Sequence, residues 1–114
     1  MKYLLQVYFN GAQDRLAQLS DTEREATVRE YVAFFHSPEV SDGNQLQPPA
    51  TATTIRIHDG QLTRASEPHN PSAEPLGGYY LVEAPDIDHA ITIAARIPAL
   101  RMGGAVEVRP LVER

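Results

Sequence analysis

The sequence predicts an α+β domain whose helices lie on one face of an antiparallel sheet. Three observations carry that reading. Apolar residues alternate near both ends of the chain, two stretches show helical spacing behind capping residues, and an Asp-Gly pair sits between two short alternating runs.

In the first element, Lys2 to Phe9, one row is Tyr3, Leu5, Val7 and Phe9 and the other is Lys2, Leu4, Gln6 and Tyr8. That is a strand with one dry face and one mixed face. Asn10 to Leu19 reads as a loop. Ser20 with Glu23 forms a capping box, and Asp21, Glu23 and Glu25 suit the positive end of a helix dipole. Val28, Tyr31, Val32 and Phe35 then recur at helical spacing, so a helix is expected from Asp21 to Phe35, ended by Pro38. Ser37 to Ala50 is rich in turn formers and reads as loop, with at most a short strand around Gln45 to Gln47.

Thr53 to His58 alternates again, with Ile55 and Ile57 opposite Thr54, Arg56 and His58. Asp59-Gly60 tolerates positive φ at both turn positions and predicts a hairpin returning through Gln61 to Ala65. Ser66 to Pro75, with three prolines, is expected as a surface loop. Tyr79 to Glu83 reads as a strand. Asp86 caps a second helix with the stripe Ile87, Ala90, Ile91, Ala94 and Ile97, stopped by Pro98. Gly103-Gly104 turns the chain into a last strand, Ala105 to Arg109. This order suits a ferredoxin-like arrangement, with helices on one face of the sheet. The other face is too mixed for plain solvent surface, which predicts a homodimer.

At 114 residues and 42% apolar content the chain is one globular domain, 1–114. It has no cysteine, which removes disulfides and thiolate chemistry and favours the cytoplasm. No signal peptide or membrane span is read in it, so no membrane partner is expected. The net charge is −5 with ten scattered basic residues, a poor basis for binding nucleic acid. The four histidines lack metal-ligand spacing, and neither a metal nor a cofactor is expected.

Taken together, several segments resemble the YCII-related superfamily, and within it the Asp-Gly-Pro-Phe-type proteins. These are Met1-Lys2-Tyr3-Leu4-Leu5, Leu46 through Thr54, the Asp59-Gly60 hairpin, Leu76 through Leu81, Ala94 through Pro98 and Val106 through Pro110. The resemblance implies a dimeric α+β barrel of ferredoxin-like protomers. It implies little about activity, although some such proteins are linked to extracytoplasmic-function sigma factors and distant relatives include small-molecule enzymes with a His-Asp pair. The naming motif is degenerate here: Ser66-Glu67-Pro68-His69 stands in its place and keeps only the proline. The segment between Tyr31 and Leu46 is also about one helical turn shorter than in such relatives.

If the helices cover the row with Ile55, Ile57, Val106 and Val108, the opposite face gathers Gln6, Tyr8, Arg56, His58, Glu107 and Arg109, with Tyr79 or Tyr80. Such a set could bind a small polar or anionic ligand, the arginines gripping a carboxylate and His58 or Glu107 moving a proton. Cross-strand Arg–Glu pairs also stabilise sheets without binding anything. His58 and Asp59, adjacent on a strand, are expected to point apart. His69 is expected on an exposed loop, His36 as a helix-end residue and His89 in solvent. Gly77-Gly78 precedes a strand, so it predicts close packing or a bulge rather than a phosphate loop. The leading expectation is a cytosolic metabolite-binding homodimer. The alternatives are an isomerase-, lyase- or dehalogenase-type enzyme and an interaction module in sigma-factor-linked regulation.

Overall fold

The first strand lies inside the sheet, paired with a neighbour on each side. In the computed structural model, which describes residues 1–9 and 12–114, β1 (Lys2–Tyr8) buries Tyr3, Leu5 and Val7 on one side. The other elements are α1 (Ala12–Gln18), α2 (Asp21–Phe35), β2 (Val40–Gln45), β3 (Thr54–His58), β4 (Gln61–Ala65), β5 (Leu76–Glu83), α3 (Ile87–Ala94) and β6 (Ala105–Pro110). Four strands form an antiparallel sheet in the order β2-β5-β1-β6, the ferredoxin-like order. β3 and β4 form a separate two-stranded ribbon inserted between β2 and β5.

Directly paired residues on antiparallel strands share a face. Leu5 faces Tyr80 and Val108, and Tyr3 faces Val82, so this side of the sheet is apolar. It packs against Phe34 of α2 and against Ala90, Ile93 and Ala94 of α3, with Ile97 and Ala99 completing the core.

The helices sit rotated from the expected stripes. On α2 the inward residues are Thr27 and Phe34, with Tyr31 half-buried, whereas Val28, Val32 and Phe35 are 40–51% exposed. Thr27 can turn inward because its hydroxyl donates to the Glu23 carbonyl one turn back, at 3.0 Å. On α3 the buried stripe is Ala90, Ile93, Ala94 and Ile97, leaving Ile87 and Ile91 outside. The capping box forms, with the Glu23 amide donating to Ser20 Oγ at 3.2 Å, and Asp86 accepts from the His89 amide at 2.8 Å.

Two expected loops contain structure. Residues Ala12–Gln18 are helical, while Asn10 and Gly11 lie outside the described residues. Arg24 pins the corner between α1 and α2 by donating to the Leu16, Ala17 and Leu19 carbonyls at 3.0–3.3 Å. Val40–Gln45 is an edge strand, ending where the short strand was expected to begin. Pairing with β5 overrides its turn-like composition.

Burial pushes the Tyr31 phenol up to about 12, reinforced by the neighbouring Tyr80 phenol and opposed by the Ala99 amide and Arg101. The unfolded chain ionises this group near 10, so the stability it contributes is present below pH 10 and lost as pH rises towards 12. Urea midpoints are therefore expected to fall over that window, and Tyr31→Phe to fall less steeply. Parallel profiles would contradict this linkage.

Candidate functional site

The sheet face turned away from the helices brings five of the expected residues together. Paired rows run Asn44–Tyr79–Gln6–Glu107 and Asp42–Leu81–Leu4–Arg109 across all four strands, with Tyr8 beside Ala105 at one end. Asn44 Nδ2 donates to Tyr79 Oη at 3.0 Å, and Arg109 Nη2 donates to Glu107 Oε2 at 2.8 Å. Arg109 is thus already paired with a carboxylate two residues away, which weakens its grip on a second anion.

Arg56 and His58 do not join this face, a correction of the grouping expected from strand alternation. They stand on the β3–β4 ribbon, whose other side leaves Ile55 and Ile57 60% and 75% exposed instead of covered by helices. Alternation shows that a strand has two faces, but not which sheet it joins. Arg56 Nη2 meets His69 Nδ1 at 3.0 Å, tying the proline-rich loop to the ribbon. His58 Nε2 lies 3.3 Å from Asp59 Oδ2, so these two do not point apart. Asp59 has φ 50 in the turn, which ends strand alternation at that residue. Both side chains are more than 80% exposed, so the contact contributes little. Of the two tyrosines, Tyr79 is the one that joins the face turned away from the helices, and Tyr80 leaves the candidate set because it lies beneath the helices with its ring edge-on to Phe34 at 4.8 Å. Among the remaining histidines, His36 caps the end of α2 and His89 is exposed in the first turn of α3.

Two hollows meet at Tyr8. The larger, about 780 Å³, lies between the Leu46–Ala52 segment and the Pro68–Pro75 loop. The smaller, about 350 Å³, runs from the same loop to Ala105 and Glu107 on β6. Tyr8, Ser72 and Glu74 border both. Five prolines line the larger hollow and none the smaller, and Gln47, Thr51, Asn70, Ser72, Glu74, Tyr8 and Glu107 provide the polar groups. Among the described residues, no lysine, arginine or histidine lines either hollow. Among the described residues, no group of three histidine, aspartate or glutamate side chains is placed to hold a metal ion.

Ser72, Glu74, Asn70 and Gln47 were not predicted as site residues. Their sequence signals are a proline-rich loop without periodicity and a Gln-Pro-Pro segment that carries the family resemblance without marking a site, and only the fold sets the two side by side.

A family model described as the YCII-related domain matches residues 1–114, and the chain belongs to that family. No curated protein matches the chain. In the described residues, no helix is long and apolar enough to cross a membrane.

Proposed function

We propose that this member of the YCII-related family is a cytosolic homodimer that binds a small polar metabolite in the cleft beside Tyr8. The observation that carries this reading is the convergence of two hollows on Tyr8, Ser72 and Glu74. A concave, mostly apolar enclosure with a few polar groups is the usual form of a small-molecule site. Residues between Leu46 and Ala52, within one of the segments that carry the family resemblance, supply one wall.

The ligand is neutral or cationic rather than anionic. Glu74 and Glu107 border the hollows; Glu107 is paired with Arg109, so an anion there would meet like charge chiefly at Glu74, and among the described residues no lining cation offsets it. Acid–base chemistry, if the ligand is also a substrate, falls to Glu74 or Glu107, since His58 is outside the lining and close to Asp59.

Support for a second copy comes from apolar groups the protomer leaves uncovered. Leu4 and Leu81 are only half-buried on the outer sheet face, and Ile55, Ile57 and Leu62 are exposed on the ribbon. Covering such surface favours association, and opposed outer faces would form a dimeric α+β barrel.

Native mass spectrometry of protein purified from its own cells reads both points. The expected species has the mass of two chains and carries a small molecule. The Tyr8→Phe, Glu74→Gln double variant is expected to bind that molecule at least about tenfold more weakly, while Arg56→Ala retains it. A ligand-free single chain, or full retention by the double variant, would contradict the proposal.

A further inference from the structure

A separate cavity of about 280 Å³ lies on the opposite, helix-covered side of the sheet. Its floor includes Val7, Gly78 and Tyr80, and Leu16, Val32 and Met102 contribute to its walls. Glycines on the strands beneath it set how closely its neighbours pack. A Cβ at Gly43 would run into the Tyr80 ring, and one at Gly77 would overlap the Phe9 ring. A Cβ at Gly78 would come within 2.9 Å of the Asn44 carbonyl oxygen. Glycine at 43 and at 77 lets Tyr80 and Phe9 respectively lie against bare backbone, glycine at 78 lets the β2 backbone approach, and both rings line the cavity.

Among the described residues the lining is mainly apolar, with Asn44 and Gln45 as further polar members and no ionisable group other than tyrosine. Tyr31 and Tyr80 are both half-buried and close enough for one phenol to disfavour ionisation of the other. Both phenols are neutral at neutral pH, burial pushes their ionisation further up, and a neutral phenol can donate a hydrogen bond. An apolar cavity of about 150 Å³ is large enough to take up benzene. The volume here is nearly double that, which suits a fused two-ring molecule or a substituted single ring. A charged ligand would lose its hydration, and among the described residues no ionised side chain lines the cavity to replace it. Val28 and Val32, each about half exposed, place the lining in contact with solvent and give a route in.

We propose that this cavity is a second binding site, for a neutral one- or two-ring molecule bearing a carbonyl oxygen, with Tyr31 and Tyr80 as its hydrogen-bond donors. The site is independent of the cleft beside Tyr8, because it lies on the other face of the sheet and shares none of that cleft's polar groups.

The test is a fluorescence titration with 2-acetylnaphthalene, using 2-naphthoate as the charged control. The wild-type protein is expected to bind the ketone saturably and the carboxylate at least about tenfold more weakly. Tyr31→Phe and Tyr80→Phe keep the rings and remove only the hydroxyls, and each is expected to weaken ketone binding roughly fivefold. Val32→Trp, at a half-exposed position, fills the entrance and is expected to abolish binding, with circular dichroism confirming the fold. Tyr8→Phe, Glu74→Gln protein is expected to bind the ketone as wild type does, so failure of the polar-cleft reading would leave this result intact. No saturable binding to wild type, or binding unchanged in the two Phe variants and in Val32→Trp, would overturn the proposal.

Discussion

Leu5→Ala is expected to destabilise the domain by about 3–5 kcal/mol, read as a lowered urea midpoint at unchanged slope. Leu5 is fully buried on the central strand, paired with Tyr80 on one side and Val108 on the other. Neighbouring strands on both sides hold the backbone in place, so the site collapses poorly and the truncation leaves a void. Domains of this size are stable by about 5–15 kcal/mol, so a large share of the total would go. Ile57→Ala removes a similar volume from the ribbon, where the side chain is 75% exposed, and is expected to change stability by no more than about 0.5 kcal/mol. Equal effects at the two positions would mean that the core is not where the sheet register puts it.

Gly104→Val is expected to lower stability by about 3 kcal/mol or more, measured by thermal melting. A Cβ at Gly104 would stand 2.7 Å from the Tyr8 carbonyl oxygen and 2.9 Å from the Ala99 carbonyl oxygen. Both obstacles are backbone, so no side-chain rotation relieves them. The Gly104 amide also donates to the Ala99 carbonyl at 2.8 Å, which fixes the approach. Gly60→Ala is the contrasting case. Its φ is +76, but nothing lies within 4 Å of the added carbon, so only the left-handed backbone penalty of about 1 kcal/mol applies. A Gly104→Val protein as stable as Gly60→Ala would refute this close packing.

What the sequence disclosed follows the range of the interactions involved. The hairpin turn was legible because Asp59-Gly60 carries its own conformational signal, and both residues adopt positive φ. The capping box at Ser20 and the cap at Asp86 were legible for the same local reason. Helix rotation was less so: Thr27 is a polar letter that becomes an inward residue once its hydroxyl is satisfied within the helix. β2 was nearly invisible, since Ser41, Asp42, Gly43 and Asn44 favour turns and form a strand only against β5. Gly77-Gly78 was read as close packing or a bulge, and the strand there has both, with the Phe9 ring against Gly77 and a register shift opposite β1.

The candidate site divided along the same line. Gln6, Tyr8, Tyr79, Glu107 and Arg109 share a face because strand alternation and sheet pairing agree. Arg56 and His58 left the group because their ribbon is a separate sheet, a non-local fact. Ser72 and Glu74 entered it because two loops distant in sequence meet at the end of β1.

The most direct measurement is a two-dimensional amide NMR titration of the wild-type protein with ethanolamine and, separately, acetate. The account predicts that ethanolamine shifts the amides of Tyr8, Ser72, Glu74 and Glu107 in a saturable way, and that acetate leaves them unmoved at equal concentration. Saturable shifts with acetate, centred on Arg56, His58 and Arg109, would contradict it and return the site to the arginine-bearing surfaces.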